Sequence, residues 1–218
     1  MTEQMQPTIE RFLSALAQTI PPDDTYNEYG AGDIRNAERL ANLGRYLTTM
    51  QARQPQAMLV MEAPGYRGCR LTGVPVTSRK LLREGVPELG LFGEEQGYTL
   101  PDDPGFERIH GEPSATIVWG TLAALGKAPL IWNTFPFHPH KPGEPLTNRR
   151  PRKREIEQHG VPFLNALLDI FRPNQVIAIG NVAHETLTGL GMDVMRVRHP
   201  SQGGKNDFVA GLTSLLTG

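Results

Sequence analysis

Four short apolar runs constrain the fold of this chain more than any other feature. They are residues 57–61 (AMLVM), 129–133 (PLIWN), 175–179 (QVIAI) and 194–197 (VMRV). Continuous apolar runs of this length suit strands buried on both faces. Each is followed by a loop and then a helical pattern, so neighbouring strands are joined by crossovers rather than hairpins. Strand, loop and helix repeated four times predict a parallel sheet with helices on both faces. The expected fold is α/β, a three-layer αβα sandwich around a four-stranded parallel sheet, in one domain spanning residues 1–218.

Two helices precede the first strand, and residues 1–53 read as packing on that domain. Residues 7–19 place Ile9, Phe12, Leu13 and Leu16 on one helical face, and Pro21-Pro22 end it. Residues 34–51 repeat the pattern behind Asp33 as cap. The polar stretch 23–33 reads as a surface connection. Residues 85–113 are long, aperiodic and rich in Gly and Pro, with Phe92, Tyr98 and Phe106 expected to pin them to the body. Ser114 is the expected cap of a helix ended by Gly126, and Asn206 of a last helix through Leu216.

Composition excludes several classes. Hydrophobic content of 39% and charged content of 21% over 218 residues are ordinary for a globular protein. The net charge of −1 gives no global signature of nucleic-acid binding. Cys69 is the only cysteine, which excludes an internal disulfide and a cluster held by several cysteines of this chain. A reducing, cytoplasmic setting is expected. No apolar run reaches the roughly 20 residues of a membrane helix. Glu10 and Arg11 interrupt the first apolar pattern, which argues against a signal peptide. His138 and His140 flank Pro139 without an evident third ligand, so no metal is expected. A cofactor-free monomer is expected.

Ligands of such sheets sit beyond the carboxyl ends of the strands. There the chain places Glu62, Asn133, Gly180-Asn181 and His199. A carboxylate, a carboxamide and an imidazole on one edge suit an acid or base, a hydrogen-bonding reader and an electrophilic stabiliser. The loop after the first strand opens at Ala63-Pro64-Gly65 and ends at Thr77-Ser78, good helix caps before Lys80-Leu81-Leu82.

These residues resemble the motifs of the uracil-DNA glycosylase superfamily. Met61-Glu62-Ala63-Pro64-Gly65 matches four of five positions of the G-E-A-P-G form of its first motif, and Gly73-Val74-Pro75 with Leu81-Leu82 follow at the family's spacing. Asn133 ends the middle-motif strand, Val176 to Asn181 look like the family's strand and helix, and His199-Pro200-Ser201 matches its last motif. The likeness covers about residues 55–217 in order. It implies the family's four-stranded fold, DNA as partner, and a glycosylase acting on a flipped uracil or another damaged or modified base.

In that reading Asn133 accepts from uracil N3–H and donates to O4, whereas cytosine offers the reverse. His199 donates to O2, and Glu62 positions or activates water or stabilises the cationic sugar. Ala63, Pro64, Gly65, Tyr66, Val76, Phe135 and His138 would complete the base pocket. No lysine occupies a motif position, so a monofunctional hydrolysis without a Schiff-base step is expected.

The departures are specific. Val76 stands where the family usually stacks an aromatic ring, leaving Tyr66, Phe135 or Phe137 to supply one. The G-E-A-P-G branch usually binds an iron–sulfur cluster through four cysteines, which this chain lacks. No bulky wedge follows His199-Pro200-Ser201.

Residues 148–154 carry five cations in seven positions. Arg149, Arg150 and Arg152, with Arg67, Lys205 and the turn Pro200, Ser201 and Gly203, are expected on the DNA backbone. Cys69 is expected to be passive, since no base partner is evident. Two other functions fit the residues: binding a nucleic acid or nucleotide without cleavage, and hydrolysis of a small nucleotide.

Overall fold

The structure is a computed structural model that describes residues 8–217. Helix α1 (Ile9–Gln18) starts at Thr8, whose side chain accepts from the Arg11 amide, and buries Ile9, Phe12 and Leu16. Phe12 meets Trp132 and Phe163 edge-on at 5.3 and 5.6 Å, which fixes α1 to the body. After β1 (Thr25–Tyr26) comes α2 (Ile34–Arg53), capped by Asp33 as expected.

The first long strand is β2 (Ala57–Met61), followed by the short α3 (Cys69–Thr72) and by α4 (Arg79–Glu84) behind its Ser78 cap. Then come α5 (Pro113–Leu125), β3 (Leu130–Asn133) and β4 (His138–Pro139). Helix α6 (Lys153–Glu155) runs through a π turn, Ile156–Gly160, into α7 (Val161–Phe171). The chain closes with β5 (Gln175–Ile179), α8 (Asn181–Gly189), β6 (Met195–Val197) and α9 (Lys205–Thr217).

The four long strands form one parallel sheet in the order β3-β2-β5-β6, flanked by helices. Every residue of β2 and β3 is buried. Since alternate side chains point to opposite faces, both faces must be covered, as the unbroken apolar runs predict. Register places Met61 beside Asn133 and Val60 beside Ala178, so the strands end on one edge.

Three expectations need correction. Residues 23–33 are no surface connection: β1 pairs antiparallel with β4, and Asn27, Glu28 and Tyr29 are buried. Their polar groups are met internally. Asn27 donates to the carbonyls of Leu16 and Thr19, and the Tyr29 hydroxyl donates to the Gly73 carbonyl at 3.0 Å. Helix α5 is capped not by Ser114 but by Glu112, whose two oxygens accept from the amides of Ser114 and Ala115, with Pro113 in the first turn. Asn206 lies inside α9, which already begins at Lys205.

Residues 85–113 do pack on the body. Phe92 is buried, stacked on Tyr46 and edge-on to Tyr98 and Trp119. Within residues 85–113 the chain makes two 3-10 turns, Pro87–Leu89 and Glu94–Gln96, and an antiparallel bridge between Val86 and Leu91.

Candidate active site

The strand ends meet through backbone contacts. The amides of Thr134 and Phe135 donate to the carbonyls of Met61 and Glu62, and the Thr134 hydroxyl donates to the Glu62 carbonyl as well. Gly180 lies under His199: a Cβ added there would stand 3.5 Å from the His199 Cβ. Glu62, Asn133, Gly180 and His199 therefore share one edge of the sheet. On its His199 side a cavity of about 490 Å³ is lined by Gly180, Asn181, Arg196, Arg198, His199 and Ser201, among others.

His199 is held by its own motif. The Ser201 amide donates to Nδ1 at 3.1 Å, and the Ser201 hydroxyl stands 2.8 Å from the same nitrogen. An amide can only donate, so Nδ1 is an acceptor and the neutral ring carries its proton on Nε2. Burial pushes the imidazole below its ordinary range, opposed by the charge of Glu112. The result is a neutral ring with an Nε2–H donor.

Asn133 is 2% exposed, and its Oδ1 is buried without a hydrogen-bond partner. Glu62 is half-buried, and its carboxylate makes no hydrogen bond to a described residue. Burial pushes its carboxyl above the ordinary range; Arg150 opposes that and Glu185 adds to it.

Val76 adopts a left-handed backbone, φ 53°, unusual for a β-branched residue, and its carbonyl accepts from the Trp119 indole at 2.8 Å. Of the candidate rings, Phe135 and Phe137 are fully buried and meet edge-on at 5.7 Å. The expectation that Phe135 faces the base is corrected, because its ring belongs to the core. Tyr66 remains on the loop, with the exposed Arg67 guanidinium 5.2 Å over its ring.

His138 is also corrected from a pocket or phosphate contact to an internal bridge. It is fully buried, with Nδ1 2.9 Å from the Pro64 carbonyl and Nε2 3.2 Å from the Pro145 carbonyl. Burial lowers its pKa to about 4, so the neutral ring donates to one of the two. Its amide donates to Glu28, a wholly buried carboxyl that burial pushes up to about 8. Cys69 lies against Glu28 at 3.8 Å and the Tyr29 hydroxyl at 3.6 Å, and burial pushes its thiol well up. That thiol is passive, and one buried cysteine does not fit a cluster held by four.

The basic run divides. Arg149 is mostly buried. It binds both oxygens of Glu155 at 2.7 and 2.8 Å and also reaches the Asp24 carbonyl, the Thr25 hydroxyl and the His140 carbonyl. The expectation of a free cation there is corrected, since its donors are consumed inside. Arg150 and Arg152 are on the surface, paired with Glu185 and with Asp24 and Glu155. Arg150 and Glu185 are both exposed and screened by solvent, so a phosphate can compete for that guanidinium. Pro200 is buried in the His199 turn, Ser201 and Gly203 are exposed on it, and Lys205 opens α9 at the surface. Ala63 and Gly65 are partly exposed, and Pro64 is buried beneath them.

Three participants went unseen in the sequence. Glu112 acts on His199 and lies in a stretch without periodicity. Asn148 accepts from the Tyr66 amide at 3.0 Å and ties the basic loop to the first-strand loop. Gly160 ends the π turn beside the strand-end loop, where a Cβ would collide with the Thr134 carbonyl.

No curated protein matches the chain at a significant level. Among solved structures, SMUG2 of Pedobacter heparinus matches with a TM-score of 0.62 over 98% of this chain and 100% of that one, at 12% identity. At that identity the likeness speaks for the fold, the same parallel sheet flanked by helices. The model of the family described as the Uracil DNA glycosylase superfamily matches residues 48–211, from the end of α2 into α9, and the chain belongs to that superfamily.

Proposed function

We propose that this chain is a monofunctional DNA glycosylase that hydrolyses the N-glycosidic bond of a flipped uracil, or of another damaged or modified base carrying the same edge. One observation carries the reading: the buried, unpartnered Oδ1 of Asn133 at the strand edge. A buried acceptor without a donor costs roughly 1–3 kcal/mol. An N–H brought in by a base, such as N3–H of uracil, removes that cost, and the Asn133 amide then donates to O4. Cytosine, with an acceptor at N3, leaves Oδ1 unmet.

The chemistry follows from the neighbours. The C1′–N1 bond breaks with its electron pair going to the base, where charge collects on O2. His199 Nε2–H donates to that oxygen as the charge develops, which is where a preorganised donor lowers the barrier. Water adds to C1′ from the other face. Glu62, without a hydrogen bond among the described residues and with a raised pKa, orients that water, takes its proton and balances the positive sugar. Tyr66 is the ring placed to cover the base. Arg67, Arg150, Arg152 and Lys205, with the turn through Ser201 and Gly203, meet the phosphates.

Strand scission after alkali tests this. Oligonucleotides carry uracil, hypoxanthine, xanthine, thymine opposite guanine, or modified pyrimidines, and Asn133→Ala and His199→Ala run beside the wild type. A cut at one base that both variants lose supports the proposal. No cut by a folded wild type at any base rejects it in favour of binding without cleavage. DNA affinity that barely responds to salt would instead favour a small nucleotide as substrate.

A further inference from the structure

The stretch after β1 meets the site from behind, through a carboxyl in an unusual place. Glu28 is wholly buried. The two nearby guanidinium groups are engaged elsewhere: Arg39 forms its salt bridge with Asp103, and Arg70 lies over the rings of Tyr26 and Phe106. Burying a carboxyl away from water without an ion pair is costly, so its position calls for a reason.

Its two oxygens supply one. Oε2 accepts from the His138 amide at 3.2 Å, and Oε1 from the Cys69 thiol at 3.8 Å. His138 belongs to β4, and its ring reaches the Pro64 carbonyl at 2.9 Å. Cys69 opens α3, where the turn that begins at Pro64 ends. Glu28 therefore touches the elements on both sides of residues 64–69. Its neighbours in sequence hold it there. Asn27 donates to the carbonyls of Leu16 and Thr19, and the Tyr29 hydroxyl donates to the Gly73 carbonyl at the end of α3. Residues 27–29 lie outside the 48–211 stretch that matches the superfamily.

We propose that Glu28 is a positioning residue for the base: it holds His138, and His138 holds the Pro64-Gly65-Tyr66 turn that receives the flipped nucleotide. The proposal rests on the glycosylase reading for that base. Glu62 is fixed from elsewhere, since its carbonyl accepts from the Phe135 amide and the Thr134 hydroxyl. His199 is held by its own turn. Loosening the Pro64 turn thus weakens capture of the base and leaves the bond-breaking groups in place.

The test measures capture without cleavage. Two duplexes are compared by fluorescence anisotropy, one carrying 2′-fluoro-2′-deoxyuridine and the other thymidine at the same place. The fluorine disfavours a cationic sugar, so the uracil is bound and not released. The ratio of the two affinities is read at pH 7 for wild type, Glu28→Ala and Glu28→Gln, with thermal melts confirming folding. Gln keeps an acceptor for the His138 amide and matches the protonated carboxyl that burial favours. The ratio is expected to fall about tenfold in Glu28→Ala and to stay within about twofold of wild type in Glu28→Gln. Single-turnover excision of plain uracil at saturating Glu28→Ala is expected to stay within about threefold of wild type. A merely structural role would lower the melting temperature and leave the ratio alone. If Glu28→Ala does not fold, Glu28→Asp takes its place, because one methylene less withdraws the carboxyl from the His138 amide.

A ratio that the Ala or Asp variant leaves unchanged, or that Gln loses equally, overturns the positioning role while the glycosylase reading stands. A saturated rate about tenfold slower also overturns it, by moving Glu28 to the bond-breaking step. A wild type without preference for uracil rejects the uracil pocket itself, and its positioning by Glu28 with it.

Discussion

The Ser201 amide donates to Nδ1 of His199 at 3.1 Å, so the proton of the neutral ring resides on Nε2. The backbone makes that choice, and the Ser201 hydroxyl reinforces it. Ser201→Ala therefore keeps the tautomer and should lower the single-turnover rate less than about tenfold. His199→Ala removes the donor itself and should lower the rate about 10²–10³-fold. Since burial holds the imidazole below its ordinary range, the acid limb that His199 adds to the wild-type pH–rate profile should lie below that of a free imidazole, alongside the limb set by the raised Glu62 carboxyl. A pH–rate profile of wild type beside Ser201→Ala checks both points.

Gly204 is required by the same turn. A Cβ there would overlap the His199 carbonyl and crowd the Arg198 guanidinium and the Ser201 carbonyl. Gly204→Ala should shift His199 out of place and cut activity at least as far as it lowers stability. Gly160→Ala should act on the other side of the site, through the Thr134 carbonyl next to Asn133. Measuring base affinity and rate separately should show Gly160→Ala weakening binding and Gly204→Ala slowing the bond-breaking step.

Glu28 predicts a pH dependence of stability. Its folded pKa is raised from 4.5 to about 8, so the folded state keeps a proton that the unfolded chain releases. Its stabilising contribution is complete below pH 4.5, is lost as pH rises from 4.5 to 8, and amounts to a few kcal/mol. His138 acts in the opposite sense. Its pKa is lowered from 6.5 to about 4, so its contribution is complete above 6.5 and is lost as pH falls through 4. Between 4.5 and 6.5 the two offset each other. Glu28→Gln should remove the alkaline loss and expose a slope rising with pH across that window, read by urea melts from pH 4 to 8.

Arg149 and Arg150 should separate stability from DNA contact. Removing Arg149 leaves Glu155 to the Arg152 amide and guanidinium alone and takes a donor from the Asp24 and His140 carbonyls. Arg149→Ala should accordingly melt earlier. Arg150→Ala should melt like wild type, bind DNA more weakly, and reduce the slope of log affinity against log salt by about 1. Equal melting of the two variants would contradict this division.

The sheet was legible because apolar runs such as Met58 to Met61 have only one comfortable environment, and its strand ends follow from it. Glu62, Asn133 and His199 were therefore placed on one edge by pattern alone. What pattern could not supply was partnership across distance. Glu28 is buried because Cys69 and His138 meet it, 41 and 110 residues away in sequence. A run of cations does not reveal that Arg149, and not Arg150, finds a buried carboxylate six residues on. Phe135 lies two residues past Asn133, yet the chain has left the strand by then, so strand parity no longer says which way its ring turns.

The buried thiol of Cys69 has a practical consequence. It is the only cysteine, it lies in α3 within the loop between Pro64 and Gly73, and Glu28 and Tyr29 pack against it. A thiol-specific dye can reach it only when that loop lifts. Its rate of modification is thus an intrinsic clock for local opening, and ligand-induced closure of the loop would slow that clock without any label being engineered into the chain.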